Sequence, residues 1–215
     1  MHALRLSLLC LAIAAVSAPA QMTPDQQAKT LLDTARRAFN DKQFPFAATK
    51  FREFVQKFGG HKDANAARYG LGLSLLDGPE RNFETAANEL APLLGAKTMP
   101  EHPFVLYHFA LARRGQGTAS LATAQAKPAE ANAHREQARG RFEEAGKQFL
   151  AASAVFLEKG KDAKPGAPEL EWALRSRIDA AEMLLRQRKP KEARAALDLL
   201  AGEGAKRWEK SKYLD

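Results

Sequence analysis

The residues of this chain that could do acid–base or metal chemistry are its histidines and its paired carboxylates. His102 and His108 stand six apart, a spacing that puts them on different faces of a helix, whereas two ligands of one metal ion need a shared face. His61 and His134 read as isolated, with no partner at ligand spacing. Glu143-Glu144 and Glu169-x-Glu171 are pairs of the kind a hydrolase uses as general acid and base. Both lie in Lys- and Arg-rich helical stretches, where exposed acids are ordinary solvated charge. Gly70-Leu71-Gly72 could cradle a phosphate only after a strand and beside a Lys or Ser, and it has neither. Close approach of two helices is the better use of that pair. Trp172 and Trp208 read as packing residues. With no catalytic constellation, the expectation is a protein that is not an enzyme and needs neither cofactor nor metal.

The start of the chain predicts that these residues lie outside the cytoplasm. Met1 to Ala20 has a short leader with one basic residue, Arg5, then an apolar run from Leu6 to Val16, then Ala18-Pro19-Ala20. These are the three parts of a secretory signal. The run is too short for the roughly 20 apolar residues of a spanning helix. The mature chain is therefore expected to begin at Gln21, exported through a Sec-type signal to a periplasm or cell envelope or beyond it. The only cysteine, Cys10, lies inside the apolar run after Leu8 and Leu9, so the mature protein would have no disulfide, Cys-bound metal or thiol nucleophile. Its stability must come from packing.

Charge narrows the partners. Lys and Arg outnumber Asp and Glu by 33 to 25, a formal net charge of +8. From Gln21 to Ala110 the basic and acidic residues number 11 and 10, and from Leu111 to Asp215 they number 21 and 15. The excess belongs to the second half. No aromatic-interleaved basic patch accompanies it, so nucleic acid is not expected as a partner. An anionic envelope polymer is a possible weak contact.

The elements that must position these residues are helices. Thr23-Pro24-Asp25-Gln26 has the cap, the first-turn proline and the Gln of a capping box. Leu31, Ala35 and Ala38 then form one stripe, and Asn40-Asp41-Lys42-Gln43 interrupts it before Pro45 opens a second helix carrying Ala47, Phe51, Phe54, Val55 and Phe58. Ala35 leaves room for its neighbour, and Ala47 and Phe51 set a gap and a knob one turn apart. The offsets recur. Gly72, Ala86 and Leu90 are spaced 14 and 4, and Ala181, Ala193 and Leu197 are spaced 12 and 4, as are Ala35, Ala47 and Phe51.

Between these lies an irregular third unit. Its first helix is expected over 103–114, ending at Gly115-Gln116-Gly117. After an Ala-rich stretch comes a heptad seam, Ala138, Phe142, Ala145, Phe149, Ala152 and Phe156, which reads as one over-long helix lying along its neighbours. Gly160 to Pro168 reads as a linker.

These offsets resemble tetratricopeptide repeats, helix-turn-helix units of about 34 residues with the pattern W-x2-L-G-x2-Y…A-x3-F…P. Leu71-Gly72, Ala47-x3-Phe51 and Ala193-x3-Leu197 carry the resemblance, while Leu31, Arg68 and Arg177 stand at the pattern's first position. The resemblance is closest to repeat proteins of bacterial cell envelopes that accompany outer-membrane assembly or the cell-wall machinery. It implies an all-α fold, a right-handed superhelical stack of antiparallel helix pairs, with units at about 24–60, 62–98, 102–159 and 168–201. Elementary burial agrees, because a two-helix unit is too small to bury its own apolar face and stacking makes a continuous core.

The family's groove is lined by the first helix of each unit. The matching positions here are Lys29, Leu32, Arg36 and Phe39 in the first unit and Tyr69, Leu73 and Leu76 in the second. Lys29 and Arg36, seven apart, face away from the Leu31 stripe. The implied role is a scaffold that binds a protein or peptide. The alternatives are a basic spacer contacting an anionic envelope polymer, or the N-terminal portion of a longer repeat protein, since Ser211 to Asp215 looks like the start of another helix.

Overall fold

The computed structural model describes residues 22–202. The leader with Cys10, Trp208 and the Ser211 to Asp215 segment lie outside the described residues. Within them the chain is all-α: α1 (Pro24–Asn40), α2 (Phe44–Lys57), α3 (Ala64–Asp77), α4 (Phe83–Leu90), α5 (His102–Ala126), α6 (Ala131–Lys159), α7 (Pro168–Arg186) and α8 (Pro190–Gly202). Single 3-10 turns, Ala91–Leu93 and Pro128–Glu130, follow α4 and precede α6. The first start is capped as the sequence indicates: the Gln26 amide donates to Thr23 Oγ1 at 3.2 Å, and the Thr23 amide donates to Gln26 Oε1 at 2.9 Å.

One turn recurs inside the helix pairs. Lys42, Arg81 and Arg188 have φ of 60°, 42° and 62°, and each stands five residues before a buried alanine, Ala47, Ala86 or Ala193. In α1–α2 the Gln43 amide donates back to the Ala38 carbonyl at 2.8 Å. In α7–α8 the Lys189 amide donates to Leu184 at 2.9 Å, the same reach of five residues. The two extra residues of the second unit therefore fall before Arg81, and the exit into the next helix is unchanged. A left-handed backbone costs an L-residue about 1 kcal/mol or more, and these closing hydrogen bonds offset it.

Small residues set how closely the helices approach. Ala28, Leu32, Ala35 and Ala38 form the inner face of α1, against Ala47, Phe51 and Phe54 of α2 and Ala67 and Leu71 of α3. Leu32, rather than Leu31, is the buried member, at 3% exposure. The Phe51 ring covers Gly70, and Leu90 of α4 covers Gly72 so closely that a Cβ there would stand 2.7 Å from its Cγ. A second core gathers Leu76, Ala86, Leu90, Val105 and Phe109, and a third gathers α5, α6 and α7. Half-buried Leu75 and Leu94 join neighbouring cores. Besides chain-order neighbours, α1 touches α3 and α3 touches α5.

The seam of α6 packs as its spacing indicates, with Ala138, Phe142, Ala145, Phe149, Ala152 and Phe156 all at 2% exposure or less. The expected end of α5 is wrong. That helix passes through Gly115-Gln116-Gly117 to Ala126, making two long helices, of 25 and 29 residues, where one was expected. The glycines are contact points: a Cβ on Gly115 would meet Phe83 at 2.3 Å, and one on Gly117 would meet Phe142 at 2.6 Å. A second departure concerns α8, where Leu197 is 40% exposed although its counterpart Phe51 is at 3%.

Candidate binding groove

The continuation of α5 beyond Arg114 creates a concavity. Leu111, Arg114, Gly115, Thr118, Ala119 and Ala122 recur along one face of this helix and line a groove of about 690 Å³. Leu76 and Phe83 close its apolar side, while Asp77 and Arg81 stand at one rim and Glu182 and Arg186 of α7 at the other. The Phe83 ring lies on Gly115, so the absence of a side chain at 115 is what lets α4 seat against α5 at the groove floor.

The α7 wall is held by a charged lattice. Tyr107 donates to Asp179 Oδ2 at 2.6 Å, and Arg114 Nη1 reaches Asp179 Oδ1 at 3.2 Å and Glu182 Oε2 at 3.1 Å. Arg186 Nη2 pairs with Glu182 Oε1 at 2.7 Å. Burial and the hydrogen bond to Asp179 push the Tyr107 phenol above its ordinary pKa, so it remains a proton donor. The Arg175 guanidinium lies 5.4 Å from the Tyr107 ring centre and 5.1 Å from that of Trp172. Trp172 in turn stacks on Phe156 with centroids 6.0 Å apart, which places it in packing. Across the groove, burial raises the Asp77 carboxyl while Arg81 opposes that rise. Gln116 donates its amide to the Glu84 carboxylate, tying α5 to α4.

Of the groove residues expected from sequence, Leu76 alone lines this cavity, through the 8% of its surface that remains exposed. Leu32 is enclosed in the α1–α2 core and offers no surface to a partner. Lys29 is exposed and pairs with Asp33 at 2.7 Å, which holds that carboxyl below its usual range. Arg36 is exposed, and Phe39 is half-buried with its ring edge-on to Phe44 at 5.4 Å. Tyr69 and Leu73 are half-buried. The Tyr69 hydroxyl oxygen lies 3.1 Å from His108 Nδ1, which donates to the Phe104 carbonyl at 2.7 Å. The α1 residues and Tyr69 are thus not gathered with the α5–α7 groove. What sequence reasoning missed is Leu111, Arg114, Thr118, Glu182 and Arg186. Reading α5 as continuous would have put the first three on one face.

The other candidates for chemistry are occupied locally. His102 Nε2 stands 3.0 Å from the Leu94 carbonyl. His134 is not isolated: Glu130, one turn earlier, lies 3.3 Å from its Nε2. His61 lies 3.5 Å from Asp63 and 3.8 Å from Asp25. Glu143 pairs with Lys147 at 2.8 Å and Glu144 with Arg113 at 2.9 Å. Among the described residues no three His, Cys, Asp or Glu are placed to hold one metal ion, and no helix is long and apolar enough to cross a membrane. No protein-family model matches the chain, and no curated protein matches it in sequence.

Proposed function

We propose that this chain is an exported scaffold of tetratricopeptide-like helix pairs, stacked in a right-handed superhelix, that holds a protein or peptide segment and performs no catalysis. The observation that carries the reading is the groove between α3, α5 and α7. It has an apolar floor, charged rims and walls fixed by ion pairs before any ligand arrives, the arrangement that lowers the ordering cost of binding. The recurring left-handed turn and the contacts of α1 with α3 and α3 with α5 support the stack. The three-part leader supports export to a cell envelope.

The test is capture of envelope proteins by the chain from Gln21 onward, set against an Ala119→Trp variant. Ala119 is exposed on the groove wall, so the indole fills the groove without entering a core. Loss of the captured partner with an unchanged circular dichroism spectrum is the expected result. Undiminished capture would reject the groove. The basic-spacer alternative draws on the charge excess and is separated by salt, because charge-dominated contact weakens steeply as ionic strength rises while an apolar groove holds.

A further inference from the structure

Two large apolar side chains on the last described helix pair stand in the open: Leu185 of α7 is 53% exposed and Leu197 of α8 is 40% exposed. The offsets that align the pairs match Leu185 with Leu76 of α3, and Leu197 with Phe51 of α2 and Leu90 of α4, all three of them buried. What covers those three is the next helix in the chain. Ala67 and Leu71 of α3 share a core with Phe51, and the Phe51 ring lies on Gly70. Val105 and Phe109 of α5 share a core with Leu76 and Leu90. In the same way α7 sets Leu170 and Leu174 in one core with Phe149 of α6. The first pair differs at its outward face. The shift that carries Ala35 onto Gly72 carries Thr30, Asp33 and Thr34 of α1 onto Ala67, Gly70 and Leu71, so that face is polar, with Asp33 paired to Lys29 at 2.7 Å. It needs no cover, whereas Leu185 and Leu197 do.

We propose that the face of Leu185 and Leu197 is covered by the chain's own next segment, residues 203–215, through Trp208 and Tyr213. Order along the chain selects this occupant, since the faces of α2, α4 and α6 are each covered by the segment that follows in sequence. Spacing selects the residues. Tyr213 stands 16 residues after Leu197, as Ala67 stands after Phe51, and Val105 stands 15 after Leu90. Trp208 stands 11 after Leu197, in the stretch where the first two connections set Phe58 and Met99 against their cores, 7 and 9 residues after Phe51 and Leu90. A second copy docking through α1 would press Thr30 and the Lys29–Asp33 pair onto two leucines and strip them of water, a cost that aromatic side chains do not carry. With α1 polar outward and the last pair covered, copies of the chain have no apolar edge on which to add end to end into a filament. This face shares no residue with the α3–α5–α7 groove.

The experiment is maleimide labelling of introduced cysteines, because the chain from Gln21 onward has none of its own. Leu185→Cys and Leu197→Cys each report the face while leaving the other leucine in place. Leu150→Cys, at a leucine of α6 that is 55% exposed, is the open reference. The expected result is labelling about tenfold or more slower at 185 and 197 than at 150, at a rate independent of protein concentration. Adding Trp208→Ala and Tyr213→Ala should bring both sites to the reference rate, with the circular dichroism spectrum unchanged. Labelling at 185 and 197 as fast as at 150 would overturn the proposal, as would slow labelling that persists without Trp208 and Tyr213. Protection that appears only as protein concentration rises would give the face to a second copy instead. Envelope capture reports the groove and labelling reports this face, so the two readings fail separately.

Discussion

Gly117 of α5 and Phe142 of α6 are in such close register that a Cβ added at 117 would lie 2.6 Å from Cε1 of the ring. Phe142 is 1% exposed and has nowhere to move. Gly117→Ala gains about 1 kcal/mol of helix propensity but overpacks a seam, which costs about 1–3 kcal/mol, so the net effect is destabilising. Gly140 sits in α6, exposed, and a Cβ added there would meet nothing within 4 Å. Gly140→Ala should therefore stabilise by about 0.5–1 kcal/mol. Urea midpoints moving in opposite directions for the two variants are the expected outcome, and a shared direction would mean that α5 and α6 do not meet at Gly117.

The Tyr107–Asp179 hydrogen bond ties α5 to α7 across 2.6 Å. Tyr107→Phe leaves Asp179 its pairing with Arg114, and should cost about 1–2 kcal/mol. Asp179→Ala costs more, because it strands a buried phenol and frees one arm of Arg114. The double variant should cost less than the sum of the two, since both remove the same bond. Strict additivity in chemical denaturation would show that the pair is not coupled.

Much of the fold was legible because it depends on residue size at fixed spacing. Ala47, Ala86 and Ala193 each bury a small side chain at the same distance from the turn, and alternation of Ala and Phe along α6 marked a helix covered on more than one side. The groove was less legible, because Gly115 and Gly117 carry two opposite meanings in sequence. A glycine pair near an expected helix end reads as a break, yet here both sit inside α5 where aromatic rings of α4 and α6 press on the backbone. Whether a helical glycine ends an element or admits a neighbour depends on a partner distant in sequence, and Phe83 and Phe142 are distant. Leu32 came to the groove from its position in the repeat pattern, while the short stripe of Leu31, Ala35 and Ala38 put Leu31 inside. On a helix whose core face spans Ala28, Leu32 and Ala35, adjacent Leu31 and Leu32 differ by about 100° of rotation, and a stripe of three residues does not fix the face more finely than that. The salt links of Arg114 to Asp179 and Glu182 join helices far apart in the chain, and no local pattern announces them.

The last prediction concerns pH. His108 faces the Tyr69 hydroxyl and the Phe104 carbonyl, and burial, reinforced by the charge of Arg175, pushes its imidazole pKa down to about 4. In the unfolded chain the same group titrates near 6.5. Between those values the unfolded state binds the proton and the folded state does not, so stability rises with pH across that window. Its contribution is complete above about pH 6.5, declines as the pH falls toward 4, and changes no further below that. The loss amounts to at most about 3 kcal/mol. Carboxylates paired with lysine, such as Glu53 with Lys57 and Glu143 with Lys147, lose their own contributions at lower pH, and they do so in any variant. The measurement is therefore a difference: unfolding free energies of the parent and of His108→Gln from pH 4 to 7.5. The parent curve should fall relative to the variant between pH 6.5 and 4, and parallel curves would show that His108 takes up its proton equally in both states.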